Sequence, residues 1–520
     1  MKRNVLWFCS SRLLLLLFAL AGPRGAAVPP EGDWMSGFKM PVVVEPRIPA
    51  RSVPVTEFGA LPDGRTLCTD AIAKGIEALA AQGGGRLVFP AGIWLTGPIV
   101  MKSNVALHLE EGALLQFSTD LSIYRTRIQG LIQAENAENI AFTGPGVIDG
   151  GGDAWRPVKK SKMTEGQWKA LLASGGRVED NGSIWYPRTE TWRPRLMHLR
   201  GCKRVLLEGT TFQNSPGWNI HPAFCDDVTI RNATVRNPWY SQNGDGIDLD
   251  SCRNVVVRGT RLDVGDDALC LKSGAGAEAR RTGRATENVL IEDCIVYHGH
   301  GGFTIGSEMS GGVRNVRVNN CVFMGTDIGL RFKTQRGRGG VVEDIYISNI
   351  RMTKIPTDAI SFNMYYGGAA PEEEEAATAA PKAMPVDEGT PQFRNIYMQD
   401  IVCRGARRAV QLQGLPEMPI RGIHLRNVAI SATQGVICQD AEDITLQGVE
   451  ILNTSGSTVE AVRSRQIDID RLAYPGGVES VFKLAGVPAG AVSVRHTDLA
   501  AARTPAMSAP GTPANALVVK

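Results

Sequence analysis

The sequence predicts an all-β fold, a parallel β-helix (a solenoid) with an N-terminal capping helix, and three observations support this. A short motif of a polar residue followed by apolar, variable and apolar residues recurs along most of the 520-residue chain. Most copies are separated by 21 to 29 residues, and Gly, Asn and Asp fill the stretches between them. The composition, with 58 glycines and 6% aromatic residues, suits short strands and turns better than long helices.

Each copy of the motif predicts one strand, because its alternation matches the two-residue period of a half-buried strand. A period in the twenties with several short strands per turn is typical of a parallel β-helix. Nine of the twelve copies begin with Asn or Asp, and we expect these side chains to stack from coil to coil. The copies begin at Asn104, Asn139, Arg204, Asp227, Asn254, Asn288, Asn315, Asp344, Asn395, Gly422, Asp443 and Gln466.

An amphipathic helix is predicted just before the repeats. Ile72 and Ile76 share one face of a helix that begins near Thr69 and ends at Gly83. Such a helix can cover the open end of a solenoid, whose exposed strand edges need protection. We therefore expect a β-helix domain over residues 50–480 with this helix as its cap.

Insertions and terminal segments interrupt or flank the repeats. An insertion near residues 150–200 is rich in tryptophan and basic residues, and one near 367–392 contains four consecutive glutamates, as a flexible surface loop does. Residues 500–520, rich in Ala, Pro and Thr, predict a disordered tail. Residues 1–27 combine positive charge, a short apolar run and small residues, and so predict a signal peptide. We expect a secreted or periplasmic protein that leaves the membrane once the signal is removed.

The cysteines and the net charge narrow the classes of protein. Ten cysteines are present, one of them in the predicted signal, and several recur at spacings of 24 or 27 residues. We interpret most of them as small side chains stacked in the core, with a disulfide between some of them as the alternative. The net charge of +3 gives no general attraction to nucleic acid or to an anionic membrane. An acidic ligand would need a local basic cluster.

Polar residues gather at similar positions of consecutive coils and form a candidate active site. Asp245, Asp266 and Asp267 follow the first apolar residue of their motifs by 17, 11 and 12 residues. His300 follows the next motif by 11 residues, and Arg331 follows the one after by 15. Because neighbouring coils stack at roughly 5 Å, the normal strand spacing, similar offsets place these side chains on one face.

A cluster of three carboxylates has the chemistry that cleavage of a glycosidic bond requires. Mutual repulsion raises the pKa of at least one of them, so a proton donor lies beside ionised carboxylates. The leaving oxygen needs that proton, and the attacking water needs a base. Backbone bonding in turns and a calcium site are the alternative uses of clustered aspartates. The coincidence of acids, an imidazole and bases on neighbouring coils favours the catalytic interpretation.

Four blocks of the sequence resemble, in order, the motifs of a known family, the pectin-hydrolysing polygalacturonases of glycoside hydrolase family 28. Residues 243–246, Asn-Gly-Asp-Gly, are similar to its Asn-Thr-Asp-Gly block, with glycine in place of threonine. Residues 265–267 match its Gly-Asp-Asp block, and residues 299–301 match its Gly-His-Gly block. Residues 331–333, Arg-Phe-Lys, resemble its Arg-Ile-Lys block. The similarity extends from about Val55 to about Leu472.

The resemblance implies a right-handed β-helix that hydrolyses the α-1,4-galacturonosidic bonds of polygalacturonate or pectin with inversion, without metal or cofactor. It makes Asp266 the general acid, assigns the attacking water to Asp245 and Asp267, and lets His300 support the protonation state of the acid. Inverting enzymes separate acid and base by roughly 6.5–9.5 Å, and we expect that separation here. The substrate contacts that it implies are Asn243, His221, Lys272, Arg331 and Lys333, of which the last two would bind the substrate carboxylate.

The mode of action and the substrate leave alternatives. Residues 215–222 resemble a segment of exo-acting bacterial members, and the aromatic insertion could close one end of the cleft, so exo action is favoured over endo action. We expect a monomer that acts on an acidic plant polysaccharide, galacturonan. A rhamnogalacturonan or decorated-galacturonan hydrolase is the alternative within the hydrolases. Two alternatives of other classes share the fold, a calcium-dependent pectate lyase and a β-helix that only binds glycans.

Overall fold

Parallel strands stack coil upon coil in the computed structural model, which describes residues 32–124, 126–179, 181–187, 192–367 and 382–520. Within these residues, 34 strands pair into one continuous parallel sheet that winds through successive coils. The strands belong to a unit that runs from Asp33 to Lys520. This architecture confirms the predicted parallel β-helix.

Each early coil contributes strands to three faces, which we call the first, second and third faces. The first face contains Ser52–Pro54, Gly85–Phe89, Val105–Leu109, Glu138–Thr143, Lys203–Glu208, Asp226–Arg231, Arg253–Arg258 and Thr286–Glu292. The second contains Gly92–Thr96, Ala113–Phe117, Val147–Asp149, Thr211–Gln213, Thr234–Arg236 and Arg261–Asp263. The third contains Ile99–Val100, Gly130–Glu135, Arg195–Arg200, Ile220–Ala223, Ile247–Asp250 and Leu269–Lys272.

Later strands are longer, because several of them bend through the corners and run across more than one face. These strands are Ile295–Ile305, Val313–Met324, Thr326–Lys333, Val341–Asn363, Ile396–Gln413, Ile420–Gln439 and Ala441–Asn453, with the short Gln392–Phe393 beside them. The last coils contain Val459–Val462, Arg465–Ala473, Ser480–Ala485, Val492–Arg495, Thr504–Ser508 and Leu517–Val519.

The predicted capping helix spans Thr69–Ala81 and buries Ile72, Ile76 and Leu79. It packs closely on the first face, since a Cβ at Gly75 would lie 2.8 Å from Leu87 Cδ1. The prediction of an N-terminal cap is therefore confirmed. The other described helices are Glu165–Ala173 and Gly276–Thr282, and short 3-10 turns occur at Trp34–Gly37, Val55–Phe58, Leu121–Ile123, Gly152–Ala154 and Lys160–Lys162.

The residue that opens each copy of the motif lies at a corner of the coil. All twelve of these residues have positive φ, between 52° and 63°. Asn and Asp tolerate this left-handed conformation better than other residues with a side chain, which explains their recurrence. Their side chains also bond between coils, with Asn139 Nδ2 donating to Asn104 Oδ1 at 2.7 Å and Asn288 Nδ2 donating to Asn254 Oδ1 at 2.9 Å. The expected stacking of these side chains is confirmed.

Apolar side chains of successive coils stack inside the β-helix. Phe332 and Phe362 stack with parallel rings whose centroids lie 4.1 Å apart, and Phe393 meets Phe362 edge-on at 5.7 Å. The nine cysteines of the described chain are all free and buried. Their interpretation as small core side chains is confirmed.

Residues 150–194 leave the coils and form a small structure of their own. Three short antiparallel strands, Val158–Lys159, Arg177–Val178 and Ile184–Tyr186, accompany the helix Glu165–Ala173. Thr164 caps this helix through a reciprocal bond with Gln167. Trp168, Trp185 and Val158 form its own small core. The insertion is therefore an ordered structure that can shape the surface beside it.

The prediction of a disordered tail over residues 500–520 is wrong. Thr504–Ser508 pairs in parallel with Ser480–Ala485, and Leu517–Val519 pairs with Val492–Arg495. A β-helix ends in an open strand edge, and the last residues satisfy its backbone groups whatever their side chains are. The coils consequently continue beyond residue 480.

Two predicted segments fall outside the described residues, wholly or in part. The predicted signal peptide, residues 1–27, lies outside them, as do residues 368–381 of the second predicted insertion. In the described part of the chain, the helices are too short or too polar to cross a membrane.

The N-terminal segment, residues 33–51, follows the outside of the first face along many coils, an arrangement that the sequence did not predict. Trp34 packs against Tyr397 and His424, with ring centroids 6.1 and 6.0 Å away. Farther along, Lys39 bonds through its backbone to Asn315, and Glu45 pairs with Arg231. The segment thereby ties late coils to early ones.

We expect Trp34→Ala to lower the free energy of unfolding by about 2 kcal/mol, because it exposes the aromatic rings that Trp34 covers. Urea denaturation followed by circular dichroism measures the change. Val42→Ala is the matched control, since Val42 belongs to the same segment and is 86% exposed. Equal stability of both variants would show that the segment does not stabilise the β-helix.

Candidate active site

The third face carries the predicted polar cluster, because the register of the parallel coils sets its members side by side. Asn219 N–H donates to Asp245 O and Gly246 N–H donates to Asp267 O, so the two aspartates occupy equivalent positions of neighbouring coils. One carboxylate oxygen from each of Asp245, Asp266 and Asp267 lies within 4.8 Å of the other two. The structure thus brings together the three aspartates predicted from the sequence.

The separation of these carboxylates differs from the expectation. The sequence predicted the roughly 6.5–9.5 Å typical of inverting enzymes, whereas the nearest oxygens lie within 4.8 Å. Neighbouring coils stack at roughly 5 Å, and Asp266 and Asp267 are adjacent in sequence, so the nearest oxygens cannot lie farther apart. The expected separation is therefore wrong for the nearest oxygens.

Asp267 is buried and is the carboxylate with the strongest cationic partners. Its Oδ1 accepts a hydrogen bond from Arg331 Nη1 at 3.0 Å, and its Oδ2 accepts one from Lys333 Nζ at 2.7 Å. Burial alone would raise the pKa of Asp267, but the charges of Lys333 and Arg331 outweigh it and hold that pKa well below its usual range. Asp267 is therefore ionised at neutral pH. The two cations, which were predicted to bind substrate, are engaged with this carboxylate.

Asp245 is buried without such cations beside it. Burial raises the pKa of Asp245 well above its usual range, and the carboxylates of Asp248 and Asp266 raise it further. Burial likewise raises the pKa of Asp248 to about 7, although Lys272, with its Nζ 3.5 Å from Asp248 Oδ1, opposes the shift. The proton that crowding was expected to retain is thus held beside Asp266, on its neighbours.

Asp266 is half-buried and has backbone partners. Its Oδ2 accepts from Asn243 N–H at 3.2 Å, and its Oδ1 accepts from Asp267 N–H at 2.9 Å. The turn that carries Asn243 packs on Gly265, where a Cβ would lie 2.5 Å from Pro238 O. Only glycine fits before Asp266 for this reason.

Gly244 departs from the family motif, and the structure explains the departure. A Cβ at Gly244 would overlap the hydroxyl of Ser241, which is buried in the same turn. A threonine could not occupy this position beside Ser241. The neighbouring Asp245 keeps its place in the cluster.

His300 lies next to the acid through its backbone. Its N–H donates to Asp266 O at 2.9 Å, and its ring Nδ1 lies 2.7 Å from Asp327 Oδ2. The bond with His300 lowers the pKa of Asp327. The imidazole side chain is 41% exposed, so it borders the surface of the groove.

The predicted contacts His221 and Lys272 are both buried and meet at Trp218. The His221 ring lies 4.9 Å from Trp218, and Lys272 Nζ lies 4.6 Å from the same indole. Burial lowers the pKa of His221 to about 4, so its imidazole is neutral at neutral pH. Lys272 Nζ also lies 3.2 Å from Glu308 Oε2. The structure places all nine predicted site residues on or beside the third face.

Arg193, which the sequence did not single out, connects the insertion to the cluster. Its guanidinium donates to Asn243 Oδ1 at 2.8 Å, to Gln242 O at 2.7 Å and to Pro216 O at 3.1 Å. Asn243 in turn donates its N–H to Asp266. No motif marks Arg193, because the insertion lies outside the repeat. Its proximity to the cluster exists only in the folded chain.

The donor set of the cluster does not favour a metal ion. Both oxygens of Asp267 already accept hydrogen bonds from cationic side chains. A divalent cation would have to lie beside these two positive charges, and like charges repel strongly at such a distance. The donor chemistry therefore argues against the calcium site that clustered aspartates could otherwise form.

Comparison with known proteins gives concordant similarities. The sequence model of glycosyl hydrolases family 28 matches residues 84–445. A Vitis vinifera protein named "Probable polygalacturonase" is 30% identical over 76% of this chain and 78% of its own. The Dickeya chrysanthemi exo-poly-alpha-D-galacturonosidase is 26% identical over 69% of this chain and 64% of its own. The crystal structure of an exopolygalacturonase from Thermotoga maritima is similar with 33% identity and a TM-score of 0.67, over 79% of this chain and 94% of that one.

Proposed function

The chain belongs to glycosyl hydrolases family 28 and is a glycoside hydrolase, and from this premise we propose that it releases galacturonate from the ends of polygalacturonate chains with inversion. The observation that carries the proposal is the cluster of Asp245, Asp266 and Asp267, whose oxygens lie within 4.8 Å of one another. Exo action is supported by the names of the Dickeya and Thermotoga relatives. The insertion beside the cluster is consistent with a cleft that is closed at one end.

In the proposed reaction, Asp266 passes a proton to the glycosidic oxygen as the bond from that oxygen to the anomeric carbon breaks. A water molecule between Asp245 and Asp267 attacks the anomeric carbon from the opposite side and gives its proton to the ionised Asp267. Asp245, whose pKa is raised, holds a proton next to Asp266 from which the acid can be recharged. Each turnover consumes one water and leaves the cluster with the same number of protons.

Arg331 and Lys333 link substrate binding to the base in this proposal. A substrate carboxylate competes with Asp267 for these two cations. When they turn toward the substrate, the carboxylate of Asp267 loses part of its compensation, and its basicity rises. Asn243, His221 and Lys272 supply further contacts, while His300 orients the acid through its backbone bond to Asp266.

Export and oligomeric state remain predictions of the sequence. The proposal includes export to the periplasm or the medium, where pectic polymers are available, and action as a monomer. Mass spectrometry of the mature N-terminus and light scattering of the purified enzyme test the two points separately. An N-terminus before residue 27, or a stable dimer, would contradict them.

Chromatography of products over time tests the proposed activity. Galacturonate monomer alone from the first minutes supports exo action, whereas a ladder of oligomers would contradict it. Release of product only from rhamnogalacturonan or decorated galacturonan would favour the alternative within the hydrolases. An unsaturated, ultraviolet-absorbing product would indicate a lyase and overturn hydrolysis.

The anomeric form of the first product tests inversion, which the short distances within the cluster make worth measuring. Because the substrate bond is α, inversion yields β-galacturonate before mutarotation. Proton NMR in the first minutes of a reaction with concentrated enzyme should show the β-anomer in excess. An initial excess of the α-anomer would indicate retention and require a covalent intermediate.

A further inference from the structure

A second cavity, of about 480 Å³, lies beside the carboxylate cluster. One wall is the helix Glu165–Ala173 of the insertion, which contributes Ala170 and Leu171, and the opposite wall is formed by Trp239 and Tyr240. Lys162 stands at the cavity with its Nζ 4.9 Å from the centroid of the Trp239 ring. The cavity therefore combines an aromatic face, an aliphatic wall and one cation.

The position of this cavity follows from its connections to the acid. Trp239 and Tyr240 belong to the turn that carries Asn243, whose N–H donates to Asp266. The same turn packs on Gly265 through Pro238 O. Lys162 lies close enough to Asp327, the partner of His300, for its charge to act on that carboxylate. The cavity thus borders the groove on the side of Asp266 and His300.

The chemistry of the walls fits one kind of ligand. Trp239 is 49% exposed, an unusual position for so large an apolar side chain. Sugar rings present apolar C–H faces that stack on indole rings, and a uronic acid adds a carboxylate that an ammonium group attracts. A neutral sugar would leave Lys162 without an ionic partner in the cavity. An acidic sugar uses the indole and the ammonium together.

We propose that this cavity is an outer subsite that binds a galacturonate residue of the same polymer, at least one sugar away from the bond that is cleaved. The proposal rests on the proposed function, because the occupant is part of that substrate. It assigns the insertion a role beyond closing the cleft, since the helix Glu165–Ala173 supplies one wall of the subsite. Long chains reach both the cluster and the cavity, whereas the shortest substrates reach only the cluster.

Chain-length dependence tests the subsite. KM and kcat are measured for oligogalacturonates of two to six residues with the full-length enzyme, Trp239→Ala, Lys162→Gln and Trp239→Phe. For the wild type, KM should fall with chain length; Trp239→Ala and Lys162→Gln should each remove about fivefold of that gain, and Trp239→Phe should retain most of it. Leu172→Ala is the matched control, since Leu172 is exposed on the same helix and does not line the cavity.

The outcomes separate this proposal from the proposed function. A wild-type enzyme that cleaves no galacturonan at all would overturn the proposed function, and the subsite with it. A wild-type enzyme that cleaves galacturonan, with equal effects of Trp239→Ala on short and long substrates, would overturn the subsite alone. Calorimetry of hexagalacturonate binding to Asp266→Asn, with and without Trp239→Ala, gives a second readout that needs no turnover. Equal affinity of these two proteins would also overturn the subsite.

Discussion

Replacement of Asp266 by asparagine should reduce turnover of polygalacturonate by about 10²–10⁴-fold while the β-helix stays folded. Asparagine has the same size, and its side-chain oxygen can still accept one of the two backbone hydrogen bonds that Asp266 receives. It has no acidic proton for the leaving oxygen, so kcat should fall and KM should change little. Initial rates of reducing-sugar release, with circular dichroism of the variant, measure both effects.

A matched control and a modified substrate sharpen this test. Asp263→Asn makes the same chemical change on the second face of the same coil, outside the cluster, and should leave turnover near the wild-type value. An aryl galacturonide with an acidic leaving group needs no proton, so Asp266→Asn should lose much less activity on it than on the polymer. Undiminished hydrolysis of the polymer by Asp266→Asn would remove Asp266 from the mechanism. An equal loss on both substrates would assign it a role other than proton donation.

The coils could be predicted because the fold imposes a local rule at every corner. Each corner needs a residue with positive φ, and the chain meets that need mostly with Asn or Asp, as Asn104 and Asn254 illustrate. Two apolar residues that point into the same core follow at fixed spacing. The rule repeats with each coil, so one sequence contains many independent instances of it. The last coil, by contrast, ends in Thr504–Ser508 and Leu517–Val519, which lack the motif and pair only because the preceding strands present an open edge.

The positions of the site residues could be predicted for a related reason, whereas their partners could not. In a parallel β-helix, equal offsets from the strand motif become neighbouring positions on one face, and this places Asp245 beside Asp267. Which cation meets which carboxylate depends on side-chain reach across two coils, so the bonds from Arg331 and Lys333 to Asp267 were not expected. Segments without a period gave no signal at all. Arg193 in the insertion is the example.

The bonds of Asp267 lead to the second large expected effect, that of Lys333→Met. The substitution leaves Asp267 buried with Arg331 as its remaining cationic partner, and the pKa of Asp267 should rise by about one unit. The acidic limb of the pH–activity profile should move to higher pH by a similar amount, because the base is then protonated at a higher pH. KM for polygalacturonate should also rise, since Lys333 would bind the substrate carboxylate. Initial rates measured at a series of pH values test the shift.

The same substitution should change stability in a direction that the sign of the pKa shift determines. In the wild type, the pKa of folded Asp267 lies below that of the unfolded chain, so its ion pairs stabilise the fold above the unfolded pKa, and this stability is lost as the pH falls. Lys333→Met should therefore cost about 2 kcal/mol near pH 7, less than complete loss of a buried pair because Arg331 remains. The deficit should narrow in acid.

Urea denaturation at several pH values, with Lys483→Met as the control, separates this effect from general damage to the fold. Lys483 also pairs with a carboxylate, Glu460, but is 53% exposed, so its loss should cost less than about 1 kcal/mol at every pH. In the double variant Asp267→Asn with Lys333→Met, no ionised carboxylate is left at position 267, and the pH dependence of the deficit should disappear. A deficit of Lys333→Met that is the same at neutral and acid pH would show that Lys333 supports the fold by packing alone. The pKa of Asp267 would then depend on Arg331, and the proposed coupling between the two cations and the base would reduce to one residue.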